Sequence, residues 1–161
     1  MNLIIRCLPL LGALCLAACG GGGGPSSRTL AAAPVVADGP MAFEQLANLG
    51  HSALQNPETF VVRDNDSLEK LWSRAYQNTT TAPAVPTVDF SRKMVLAVTP
   101  GYVAACTSFA IEKVTMSGGV MLVNYKTTPP LPTMMCIAAV FSPVSIIVVD
   151  RLDTTVKFIG S

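Results

Sequence analysis

Charge is scarce in this chain. Of 161 residues 13% are charged, and 11 Lys+Arg stand against 10 Asp+Glu. No field of one sign exists to steer phosphates, which excludes a strongly basic nucleic-acid binder. There is one histidine, His51, so multi-His zinc or iron sites are ruled out and proton-transfer catalysis is disfavoured. No Gly-x-Ser-x-Gly elbow and no His-Glu-x-x-His helix occurs. Asp64-Asn65-Asp66 lacks the later Gly and Glu of an EF-hand calcium loop. These absences predict a protein without metal or cofactor. A long apolar run is missing too. Leu8–Leu16 is far shorter than the roughly 20 residues that span a bilayer. The apolar stretch 134–149 is interrupted by Pro143 and reads as two buried strands.

Apolar residues, by contrast, are abundant. At 50% hydrophobic the chain can bury a core, which excludes a disordered tail. Part of that content belongs to the N-terminus. Residues 1–18 have the layout of a secretory signal, with Arg6 followed by the apolar run. Leu16-Ala17-Ala18-Cys19, followed by Gly20, has the form of a bacterial lipobox. Small side chains there fit the signal peptidase, and the Cys19 thiol accepts a diacylglyceryl group. More than one acyl chain makes anchoring in a lipid bilayer stable. Gly20 stands where an Asp would favour the inner membrane. The expected location is therefore a bacterial cell envelope, with the outer membrane favoured. Loss of Arg6 with the signal leaves the basic and acidic side chains balanced.

Residues 19–40 read as the acylated Cys and a tether. Gly20–Gly24, Pro25, Ser26, Ser27 and the small residues up to Pro40 cannot form a core. A phosphate-binding glycine loop would need a preceding strand and a following helix, and neither is present. About 20 residues of such coil span roughly 25 Å root-mean-square.

Residues 41–161 form the expected domain. Strands are predicted at 43–49, 59–63, 93–99, 108–116, 120–126, 135–141, 144–149 and 155–159. Asp66 or Ser67 is predicted to cap one helix near 67–77, with Leu68, Leu71, Trp72 and Ala75 on its buried face. Ser117-Gly118-Gly119 is a hairpin signal. The strands follow one another too closely for crossover helices. The expected class is therefore β-rich α+β, with seven or eight strands in a largely antiparallel sandwich or open barrel and one packed helix.

Two cysteines remain in the domain, Cys106 and Cys136. An oxidising compartment favours a disulfide between them. The catalytic alternative makes Cys106 a nucleophile with His51 as its base. The loops at 78–87, 100–108 and 127–133 are candidate contact surfaces, because proline-stiffened loops lose less entropy on binding.

From about Gly50 to Ile159 the chain resembles the C-terminal domain family of the protease-complex subunit PrcB. The resemblance rests on Gly50-His51-Ser52-Ala53, on Ser67-Leu68-Glu69-Lys70-Leu71-Trp72, and on Val88-Asp89-Phe90 with the apolar strand after it. Ser142-Pro143 and Val156-Lys157-Phe158 complete it. The family often carries Gly-Gly-Tyr where Thr107-Ser108-Phe109 stands here. The resemblance implies a non-catalytic lipoprotein that binds or stabilises an extracytoplasmic protease, with Thr107, Ser108 and Phe109 as partner-binding candidates. Two other functions stay open: an enzyme using Cys106, and a structural envelope lipoprotein with no protease partner.

Overall fold

The computed structural model describes residues 37–161. The signal, Cys19 and the tether up to residue 36 lie outside the described residues. The elements in chain order are β1 (Gly39–Met41), β2 (Phe43–Leu49), β3 (Pro57–Val62), α1 (Asn65–Ala75), β4 (Lys93–Pro100) and β5 (Val103–Ala104). They continue as β6 (Ser108–Ser117), β7 (Val120–Thr128), β8 (Val140–Phe141), β9 (Val144–Asp150) and β10 (Thr155–Gly160). Strands hold 48% of these residues and the helix 9%. The class is β-rich α+β.

Three layers stack. The middle layer is a sheet in the order β2-β9-β4-β3, antiparallel throughout. Helix α1 covers one of its faces. Leu68, Leu71, Trp72 and Ala75 meet Val95, Ala97, Ile146 and Val148 there. A second sheet, β1-β6-β7-β10, covers the other face, where Met94, Leu96, Ile147 and Val149 meet Val114, Met116, Met121 and Val123. This sandwiching explains a sequence feature. β4 and β9 read as continuous apolar runs because side chains on both of their faces are buried. The arrangement is a sandwich with a helix on its back, not a closed barrel.

Local chemistry sets the elements. Asp64 is the N-cap of α1: its carboxylate accepts from the Ser67 backbone N–H at 2.7 Å. The expected caps, Asp66 and Ser67, lie inside the helix, which ends two residues earlier than predicted. Gly118 and Gly119, at φ 57° and 75°, form the two-residue β6–β7 turn, whose primed geometry matches the strand twist. In β6 the apolar residues fall at 109, 111, 114 and 116. The register shift between Ile111 and Lys113 absorbs the one-residue slip and keeps all four inward.

Three other expectations are corrected. The described residues hold ten strands, because β1 and β5, short pieces held by tertiary pairing, add to the eight expected. β1 begins at Gly39, inside the segment read as tether, and pairs with the Val114–Met116 end of β6. The arrangement is largely antiparallel as expected, and β10 beside β7 is the one parallel pair among the described residues. The strand expected at 135–141 shrinks to Val140–Phe141.

Candidate functional site

One end of the sandwich gathers the loops. There β2, β4 and β7 finish, and β3, β6 and β9 begin. Gly101 follows β4 at φ 77°, where its Cα faces the Gln55 carbonyl; a Cβ would sit 2.9 Å from that oxygen. Thr99 ties the same turn: its Oγ1 accepts from Gly101 N at 3.1 Å and donates to the Leu54 carbonyl at 3.4 Å.

The segment after β2 is latched to the segment before β9. Ser52 donates from its N and from its Oγ to the Ser142 carbonyl, each at 2.7 Å. Ser142 Oγ donates back to the Ser52 carbonyl. Both serines are buried, so the exchange satisfies groups that would otherwise lose their water partners. His51 sits exposed beside them, edge-on to Phe141 at 5.7 Å between ring centroids.

Above this latch two loops are joined three ways. Val103 and Ala104 pair with Phe141 and Val140. Ala105 N donates to the Ala139 carbonyl at 3.0 Å. Cys106 and Cys136 form a disulfide across a Cα–Cα distance of 6.0 Å. Cys106 holds φ 62°, the one left-handed non-glycine among the described residues. Thr107 N donates to the Ala104 carbonyl at 3.2 Å and closes that turn.

The stapled loops turn apolar side chains into solvent. Met135 is 99% exposed, Ile137 70% and Leu131 67%. Tyr102, Met134 and Val140 are each more than half exposed. Six of the nine large exposed hydrophobics among the described residues therefore sit on this one tip. A shallow hollow of about 500 Å³ lies between Ala104, Ala105, Pro130, Cys136, Ile137 and Val140. No charged residue occurs from 94 to 111 or from 127 to 149, the two stretches that build the tip. Such a concentration departs from the singly scattered apolar residues of an ordinary protein surface.

The sequence-derived candidates divide here. Cys106 and Cys136 are together, in the bridge. The thiol that the Cys106–His51 reading needs is consumed there. Thr107 is half-buried and Ser108 is exposed, both at the foot of the tip. Phe109 is corrected: it is buried between the sheets, 5.8 Å from the Tyr125 ring, and cannot touch a partner. Of the three expected contact loops, 100–108 and 127–133 meet at the tip. Loop 78–87 instead lies over α1, where the Pro83 carbonyl accepts from Trp72 Nε1 at 3.0 Å. Trp72 is thereby a core residue with its polar edge satisfied.

No family model, curated protein or solved structure matches the chain. The site is thus defined by its own geometry. Met134, Met135 and Ile137 were missed as surface residues because an apolar run reads as buried strand. The signal that could have found them is the company they keep. Pro129, Pro130 and Pro132 precede the run, Pro143 follows it, and a cysteine sits in its middle. Among the described residues, no three His, Cys, Asp or Glu gather where a metal could bind. No described helix is long and apolar enough to cross a membrane.

Proposed function

We propose that this protein is a lipid-anchored module of a bacterial cell envelope, held through Cys19, whose stapled apolar tip docks onto a partner protein. One observation carries the reading: six large apolar side chains are held in solvent by a disulfide, in a region free of charge. Keeping them exposed opposes the hydrophobic effect, so a surface that covers them recovers that free energy. The bridge and the prolines hold the loops in place before binding, which lowers the entropy lost on docking. The disulfide also suits an oxidising compartment.

Orientation supports the same reading. The chain enters the domain at Gly39, next to Met116 and the β6–β7 turn, at the end opposite the tip. β6, ten residues long, separates the two ends by roughly 33 Å at the usual rise per residue. An anchor upstream of Gly39 and a docking surface at the far end let the module bridge a membrane and a partner. The resemblance to the PrcB family makes an extracytoplasmic protease the first partner to seek. The absence of charge favours a second reading, in which the tip enters a lipid surface.

A photoreactive phenylalanine at position 135, in cells, tests the proposal, with position 122 on the outer face of β7 as control. The expected result is a protein adduct at 135 that is absent at 122. Equal adducts at both positions would overturn the docking assignment, and adducts to lipid alone would transfer the tip to the second reading.

A further inference from the structure

A sheet edge exposes unpaired backbone N–H and C=O groups, and folded proteins blunt such edges. This sandwich has four. β1 is three residues long. β2 carries an irregularity between Gln45 and Ala47, where Gln45 Nε2 donates to the Ile146 carbonyl at 2.8 Å. β10 places Lys157 on its exposed face. β3 is blunted only at its start, by Pro57 and Glu58. It runs six residues without a bulge, pairs only with β4, and carries Thr59, Phe60 and Val61 at its centre. Its one charge, Glu58, is held by Arg74 Nη2 at 2.9 Å.

Beside this edge lies helix α1, and the two enclose a groove of about 360 Å³. Its floor is Phe60 and Leu71, and its rim is Ser67, Lys70 and Arg74. No acid lines it. Arg74 is engaged by Glu58 and stacks over Phe60 at 5.6 Å. Lys70 forms no ion pair among the described residues.

We infer that the β3–α1 groove binds an extended acidic peptide, which adds to the central sheet as a fifth strand. The edge from Thr59 to Val62 supplies main-chain hydrogen bonds, and alternate side chains of an added strand point to opposite faces. One set passes beneath the helix, where a glutamate stem lies on Phe60 and Leu71 and its carboxylate meets Lys70. The other set lies beside Val61. A second copy of this chain fits poorly, because its own Lys70 and Arg74 would face these two across the joint.

The test uses the full chain and fluorescent hexapeptides that alternate Glu with Val or Lys with Val. Fluorescence anisotropy should show saturable binding of the Glu–Val peptide and roughly two- to fivefold weaker binding of the Lys–Val one, the scale of an exposed charge contact. Lys70→Glu should invert that preference. N-methylation distinguishes strand addition from charge attraction without altering the protein. Methylating one alternate set of peptide nitrogens should abolish binding, and methylating the other set should leave it. Equal effects of both sets, no saturable binding, or concentration-dependent dimerisation through β3 would each overturn the inference.

Discussion

Removing the disulfide should cost more than the exposure of its cysteines suggests. The bridge closes a loop of 30 positions. In the chain-entropy model that closure removes about 12 cal/mol/K from the unfolded ensemble, or about 3.6 kcal/mol at 25 °C. The packing lost with it is small, because Cys106 is exposed and Cys136 half-buried. Nearly all of the effect should therefore come from the unfolded chain. The double variant Cys106→Ser/Cys136→Ser removes the bridge without leaving a free thiol. Guanidinium unfolding followed by tryptophan fluorescence reports it, since Trp72 sits in the core between α1 and the middle sheet. The expected loss is about 3–4 kcal/mol, matched by the oxidised protein after reduction. A loss below about 1 kcal/mol in both cases would refute the reasoning, because the chain-entropy model gives about 3.6 kcal/mol for a loop of this length.

Other consequences follow from burial, charge and backbone conformation. Leu96→Ala, in the doubly covered β4, should cost about 2–5 kcal/mol, whereas Leu131→Ala at the tip should stay within about 0.5 kcal/mol; chemical denaturation measures both. Gly101→Ala should destabilise by about 1 kcal/mol or more, since an alanine there meets both a left-handed φ and the Gln55 carbonyl, and thermal unfolding would show it. The Asp64 carboxyl is held below the usual carboxylate range by the Ser67 backbone N–H, and that of Asp89 by the Ser91 hydroxyl. A depressed folded value gives stability that is present above the unfolded value and lost as pH falls through the folded one. Unfolding curves on acidification should therefore show a falling acid limb that Asp64→Asn with Asp89→Asn flattens.

Much of this fold was legible because patterns with a physical cause survive in sequence. The helix face at 68, 71, 72 and 75 follows the 3.6-residue period. The Gly118-Gly119 turn needs two positive φ values, and only glycine adopts them freely. The apolar runs at 94–98 and 146–149 record burial on both faces. Other features had no local signature. β1 is three residues of Gly-Pro-Met, and only the free edge of β6 makes them a strand. The parallel placement of β10 depends on where a loop returns. The tip was read as a buried strand because hydrophobicity predicts burial on average, while a disulfide can hold apolar side chains outside. Phe109 shows the opposite error. The resemblance to the PrcB family made it a partner contact, yet the alternation of β6 turns it inward.

Substitution at the tip reaches the central claim most directly. Met135→Asp with Ile137→Asp places two charges on the most exposed apolar side chains and removes nothing from either core cluster. Protein adducts can be collected from a photoreactive residue at position 131, and unfolding curves recorded alongside. The expected result is loss of the adduct with stability unchanged. An adduct of undiminished yield in the stably folded variant would contradict the assignment of the tip as the docking surface.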